Sequence, residues 1–234
     1  INIMFRGKKY KNNISKLDLS KEYNLDEAID ILQSFDKPSF DESIDISVNL
    51  GVDPKHADQL VRGTVSLPHG TGKDVKVIVV CKDDEKNKAA KNAGALESGS
   101  TDLLDKIKKG WMDFDVMVSS PDMMAEVGKL GRILGPRGLM PNPKVGTVTP
   151  DIEKAVKEIV AGKVEFKVDK FGVIGVSVGR KSFDVNMLVD NVKQCMGAIL
   201  KAKPSSLKGT YFKKLTISST MSPGIKINKS EFVS

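Results

Sequence analysis

Two cysteines and two histidines are all that this 234-residue chain contains. Cys81 closes the apolar run VKVIVVC and reads as a strand residue in a core, whereas Cys195 falls inside a helical pattern. Far apart and without repeated spacing, they form no disulfide framework, which favours a reducing compartment. His56 and His69 stand at no ligand spacing from either cysteine, so no structural metal is expected. With so few histidines, no Ser-His-Asp, Cys-His or paired-carboxylate constellation can be assembled convincingly. Phosphate loops are missing too. GTGK at 70–73 is followed by Asp74 rather than Ser or Thr, and no G-x-G-x-x-G follows the first α/β strand. A nucleotide-dependent transferase therefore lacks its phosphate loop and its acid/base pair, and neither a cofactor nor enzymatic activity is expected. No apolar run approaches the roughly 18–20 residues of a membrane helix. The basic opening INIMFRGKKYKNN lacks the apolar core of a secretory signal.

Charge is present and unevenly placed. The net charge is +7, with hydrophobic residues at 40% and charged residues at 29%, a soluble globular profile. Residues 1–69 hold nine Lys/Arg against eleven Asp/Glu, residues 70–160 fifteen against fourteen, and residues 161–234 thirteen against five. The excess thus lies in the last third, with a basic tip at Arg6, Lys8, Lys9, Lys11 and Lys16. A localised basic surface attracts phosphate by counterion release, but a solvated lysine-rich face would read the same way.

The pattern along the chain changes twice. Asn24 with Glu27 reads as a capping box before the helical stripe Leu25, Ala28, Ile29 and Leu32. Ile44, Ile46, Val48 and Leu50 alternate with polar residues as in a half-buried strand, and VRGTVSL is a second strand. After the flexible HGTGK, DVKVIVVC has the nearly continuous apolar character of a parallel strand covered on both faces. A charged helix (DDEKNKAAKNAGA), a helix near 101–109, the strand DVMVSS and a helix opening at Pro121 follow. This alternation predicts a small Rossmann-like parallel α/β domain over 70–160. From about 161 the first texture returns. KVEFKV and GVIGVSV are short strands joined by a hairpin-like DKFG turn, then come the amphipathic SFDVNMLVDNVKQCMGAILKA and the alternating TYFKKLTISST. The predicted fold has two lobes: a split α+β domain made of 1–69 plus 161–234, with the α/β domain inserted. Two connections, near 67–73 and 158–162, would permit hinge motion.

Three segments suggest chemistry. KLGRILGPRGLMPNPKVGTV (129–148) packs Gly131, Gly135, Gly138, Pro136 and Pro141 with Arg132, Arg137 and Lys144. Glycines permit close backbone approach, prolines stiffen the path and the cations suit phosphate, although a rigid interdomain loop needs the same residues. SSTMSPGIKI (218–227) ends a strand with hydroxyls and a Pro-Gly turn. Such groups can read 2′-hydroxyls and phosphates, or merely end a strand. Phe40, in PSFDES, either stacks on an unpaired base or anchors a core.

The segment 129–148 closely resembles the signature of the L-one family of large-subunit ribosomal proteins, bacterial branch. LGVDPKHADQLVRGTVSLPHGTGK (50–73), GWMDFDVMVSSPD (110–122), KVEFKVDKFG (163–172) and SSTMSPGIKI are similar to the family in the same order, over nearly the whole chain. The resemblance implies the two-lobed architecture and a monomer off the ribosome with no membrane association. Its implied partners are large-subunit ribosomal RNA at a mobile stalk, exit-site tRNA whose release it assists, other ribosomal components, and its own messenger, which it represses. By position, Phe40 matches the family's RNA-contacting aromatic, and Thr220, Met221 and Gly224 match its RNA-binding turn. Lys167, Asp169 and Lys170 match a second contacting strand and turn, and Arg6 and Lys8 fall in a basic tip. Two departures stand out. Ser222 replaces the usual Gly, and Ser39 stands where bacterial members often carry Lys, a role Lys37 can substitute. A free translational repressor that never joins ribosomes is a different reading of the same resemblance. The bacterial type places the protein on cytoplasmic ribosomes of a bacterium or on those of a mitochondrion or plastid.

Overall fold

The computed structural model describes residues 7–232. In chain order its helices are α1 (Lys8–Ser15), α2 (Leu25–Gln33), α3 (Asp84–Asn92), α4 (Thr101–Lys108), α5 (Met124–Gly128), α6 (Gly131–Leu134), α7 (Ile152–Val160) and α8 (Val185–Lys201). The strands are β1 (Ser43–Leu50), β2 (Arg62–Ser66), β3 (Val77–Val80), β4 (Glu97–Gly99), β5 (Val116–Ser119), β6 (Lys163–Lys167), β7 (Val173–Arg180), β8 (Phe212–Ser219) and β9 (Ile225–Ile227). The chain divides into two compact units. One comprises 1–72 and 164–234, the other 73–163, and the fold is mixed α/β.

In the first unit a four-stranded antiparallel sheet runs in the order β7-β1-β8-β9. Its centre is β1, which pairs with β7 from Ser43↔Arg180 to Asn49↔Val173 and with β8 from Ile44↔Ser219 to Leu50↔Phe212. The alternation of β1 explains this position: Ile44, Ile46, Val48 and Leu50 are buried, and the intervening residues face away from the core. The buried face is covered by α2, through Leu25, Ala28, Ile29 and Leu32, and by α8, through Leu188, Val192, Cys195 and Ile199.

Two local expectations need correction. The side chain of Asn24 makes no capping hydrogen bond; instead the Leu25 N–H donates to the Glu231 carboxylate at 3.4 Å, so the far end of the chain supplies an acceptor to this helix start. The DKFG turn forms, but its strands do not make a hairpin. β7 joins the four-stranded sheet while β6 pairs with β2 in a separate two-stranded sheet. Gly63 on β2 allows this, because a Cβ there would sit 2.8 Å from the ring of Phe166, which lies buried against it.

The second unit has a parallel sheet ordered β4-β3-β5. Its centre, β3, is fully buried and serves both faces: Val77 and Val79 pack with α3 and α7, while Ile78 and Val80 pack with α4, α5 and α6. This is the reason its sequence is apolar without alternation.

Burial fixes two titrating groups in their neutral forms. Desolvation pushes the Cys195 thiol up to about 12 and the Tyr211 hydroxyl, which donates to the Ile199 carbonyl, up to about 12. On unfolding both return to ordinary values of 9.0 and 10.0, so above those values the unfolded chain holds fewer protons. Their stabilisation is therefore whole at pH 8 and is lost as the pH rises towards 12. At pH 11 the Cys195 share reaches roughly 2–3 kcal/mol. Urea unfolding followed by circular dichroism should give a lower midpoint at pH 11 than at pH 8, with a smaller drop in Cys195→Ala. An equal drop in the variant would refute the assignment to Cys195.

Candidate nucleic-acid interface

Glu42, one residue before β1, is buried together with Lys181, one residue after β7. The Lys181 ammonium donates to Glu42 Oε2 at 3.1 Å and to the Phe35 carbonyl at 3.2 Å. The other carboxylate oxygen, Oε1, accepts from the Ser219 hydroxyl at 3.0 Å and from the Met221 N–H at 2.9 Å. One carboxylate therefore ties the loop after α2, the end of β7 and the turn after β8. A buried charge pair requires this completeness, because each lone pair left unmatched would carry its full desolvation cost.

The hub arranges the predicted residues at this end of the sheet. Thr220 donates its N–H to the Ser43 carbonyl at 3.1 Å, and its hydroxyl accepts the Ser43 N–H at 3.2 Å. Met221 then projects outward, 60% exposed. Asp41 accepts from the Ser182 N–H and hydroxyl, at 3.2 and 2.8 Å, which pins the loop that leaves Phe40 50% exposed. Lys8 joins Thr220, Met221 and Ser222 in the wall of a cleft of about 540 Å³, and the carbonyl of exposed Lys37 accepts from Lys9 Nζ at 3.0 Å. Gly224 closes the turn where a Cβ would lie 2.7 Å from the Thr216 methyl. Arg6 lies outside the described residues, as does the side chain of Lys144.

Lys167, Asp169 and Lys170 are not brought to that end. They sit where β1 finishes, beyond Asn49↔Val173, about 24 Å along the strand from Ser43. Asp169 organises the turn there: its Oδ1 accepts from the Phe171 and Val173 N–H groups, each at 2.8 Å. Lys167 and Lys170 are exposed on either side of it.

Between the two ends runs the outer sheet face, which no helix covers among the described residues. Its rows are small and hydroxyl-rich: Ser177–Asp45–Ser218, then Gly175–Ser47–Thr216, with Lys226 beside Thr216. Sequence reasoning did not select these residues, although the same alternation that located the core of β1 implied them. It also missed Arg180, which donates to the Asp41 carbonyl and the Ser43 hydroxyl at 3.3 and 3.1 Å beside Phe40. Glu42 and Lys181 carried no sequence signal, because each looks like an ordinary strand-end charge.

The glycine- and proline-rich segment belongs to the other unit. Gly131 and Arg132 open α6, and Gly135 ends it where a Cβ would lie 2.6 Å from the Gly131 carbonyl oxygen. Gly138 has φ +70°, Pro136 and Arg137 are exposed, and Pro141 is buried. Among the described residues no group of His, Cys, Asp or Glu is placed to hold a metal ion.

The Ribosomal protein L1p/L10e family model matches residues 32–223. The chain belongs to this family. It is 52% identical over 227 residues to the large ribosomal subunit protein uL1 of Chlorobaculum tepidum, covering 97% of this chain and 98% of the relative. It is also 52% identical over 223 residues to the uL1 protein of Amoebophilus asiaticus, covering 95% and 96%. The L1p/L10e proteins are structural rather than enzymatic.

The departure from the L1p/L10e pattern at Ser222 has a local explanation. No non-glycine residue among those described has a left-handed backbone, so Ser222 is unstrained. Its hydroxyl accepts the Ser219 N–H at 2.8 Å and donates to the Pro223 carbonyl at 3.0 Å, bracing the turn from within. Ser39 is exposed, and among the described residues no hydrogen bond accounts for it.

In this L1p/L10e chain, breaking the Glu42–Lys181 pair from one side should destabilise the first unit. Glu42→Ala leaves a buried ammonium without its counter-charge and should cost about 3–5 kcal/mol. Glu42→Leu combined with Lys181→Met should cost clearly less than either single change, because no uncompensated charge remains. Urea denaturation of Glu42→Leu, Lys181→Met and the double variant, beside Glu42→Ala, measures this, and strictly additive losses would rule out the coupling.

Proposed function

We propose that this chain is a constituent of the large ribosomal subunit that binds large-subunit ribosomal RNA through the unit built from both chain ends. The observation that carries the reading is the Glu42-centred turn. It brings Phe40, Thr220 and Met221, distant in sequence, to one end of an uncovered sheet face lined by hydroxyls. Small polar side chains and backbone N–H groups suit ribose hydroxyls and phosphates, and an exposed aromatic at the edge suits an unpaired base. Arg180 and Lys8 supply positive charge beside them, and the lysines of residues 161–234 extend it. In this reading Lys167, Asp169 and Lys170 make a second contact at the far end of β1, and Arg6 and Lys37 add phosphate contacts.

The finer roles follow the family. On the subunit the protein belongs to a mobile stalk, touches exit-site tRNA and assists its release. A segment of its own messenger that imitates the ribosomal RNA would compete for the same face and repress translation. Its place is the ribosome of the bacterial cytoplasm, beside other ribosomal components.

Binding of a large-subunit ribosomal RNA transcript should be tight and salt-sensitive, weakening linearly in log–log form as salt rises. Phe40→Ala should weaken it about tenfold, the loss of one base stack. Thr220→Glu with Met221→Glu should abolish it while circular dichroism stays unchanged, since both side chains are exposed. Normal RNA affinity in that double variant would remove the site assignment. Co-sedimentation of the wild-type chain with large subunits tests ribosomal membership, and its absence would favour a free repressor.

A further inference from the structure

The side chain of Phe171 belongs to no interaction described so far. It stands at the tip of the turn between β6 and β7 and is 74% exposed, more than either Phe40 or Met221. A single exposed apolar side chain is ordinary on a protein surface. Four observations set this one apart.

Its backbone is fixed. The Asp169 carboxylate accepts the N–H of Phe171 itself and that of Val173, and the Asp169 carbonyl accepts the Gly172 N–H at 3.2 Å. Gly172, at φ +78°, lies so close to the β1 end that a Cβ would stand 3.3 Å from the carbonyl oxygens of Leu50 and Val52. The turn is therefore clamped to the sheet, and presenting the ring requires little further ordering on binding. A cation is positioned with it, since Lys170 Nζ lies 5.1 Å from the ring centroid. Beside the turn opens a cleft of about 480 Å³ lined by Pro54, Leu60, Lys167, Val168, Asp169 and Lys170. Its walls thus combine apolar surface with two exposed ammonium groups. Finally, the turn lies at the opposite end of β1 from Phe40, with the length of the hydroxyl-lined face between them.

We propose that Phe171 is a second base-stacking site, taking an unpaired nucleobase on its ring while Lys170 and Lys167 hold the flanking phosphates. The inference rests on the RNA-binding reading above and deepens it. The ring supplies a neutral contact and the lysines supply the charged ones, so the two act separately on affinity and on its salt dependence.

The test uses the full chain and a transcript of large-subunit ribosomal RNA. Phe171→Ala and Phe171→Leu should each weaken binding about tenfold with an unchanged salt slope, because a stack is lost and no phosphate contact is. Lys170→Ala should lower the salt slope by roughly one. Phe171→Trp, in a Trp111→Phe background, should keep wild-type affinity and show emission quenched by the RNA. Each Phe171 or Lys170 change should leave thermal melting as in its own background, given the exposure of both side chains. Wild-type affinity in both Phe171→Ala and Phe171→Leu overturns the inference. If the Thr220/Met221 double variant loses binding in the same series, the RNA-binding reading stands and only Phe171 is wrong. If the unmodified chain does not bind the transcript at all, the RNA-binding reading fails and this inference fails with it.

Discussion

Everything at the interface depends on one buried carboxylate. Glu42 is 2% exposed, and all three hydrogen bonds to its carboxylate come from groups remote in sequence. An unpaired carboxylate could not persist there, so Lys181 must stay, and Lys181 in turn fixes the loop carbonyl of Phe35. Replacing the pair with hydrocarbon could fill the same space, but hydrocarbon cannot orient the Met221 N–H or the Ser219 hydroxyl. The pair is better understood as a specifier of geometry than as a source of net stability. It converts three strand ends into one rigid edge.

That edge has a use because β1 crosses the whole sheet. Its buried side holds the first unit together through α2 and α8, and its outer side remains polar and short. The same strand therefore solves two problems with alternate residues. Long or aromatic side chains on the outer face would separate a ligand from the backbone. Ser47, Ser177, Thr216 and Gly175 keep the surface low and hydrogen-bonding, which suits a sugar–phosphate contour. The bulky side chains, Phe40, Met221 and Phe171, are confined to the two ends, where they do not interrupt it.

How much of this was legible depends on the range over which each feature is set. Period-two alternation exposed β1 and β8, and period 3.6 exposed α2 and α8, because burial on one face imposes those patterns locally. The covered parallel strand β3 was legible for the same reason. The capping box did not form at Asn24, whose side chain makes no capping bond, and the first helical N–H goes instead to Glu231, some two hundred residues downstream, a partner that no local pattern announces. The hairpin reading failed at DKFG, since the partner of β6 is decided by Phe166 fitting over Gly63, about a hundred residues upstream. Phe40, Thr220 and Met221 entered as candidates through resemblance and local chemistry. Glu42 and Lys181, which position them, did not, because a charged residue beside a strand looks solvated until the fold buries it.

The most distinctive stretch of the sequence, residues 129–148, belongs to the second unit, and packing accounts for much of its composition. Gly135 is required by the Gly131 carbonyl, Gly138 by a left-handed backbone, and Pro141 by burial, while Leu130 and Leu134 fill the core beneath α4. A peculiar composition thus marks a peculiar backbone path before it marks a ligand. The outer sheet face of the first unit, proposed to meet RNA, shows the converse. Its serines and threonines are unremarkable in sequence, yet the sheet aligns them across three strands into one surface. In this protein the unusual residues build the scaffold of one unit, and the ordinary ones, brought into register, build the face proposed to meet RNA.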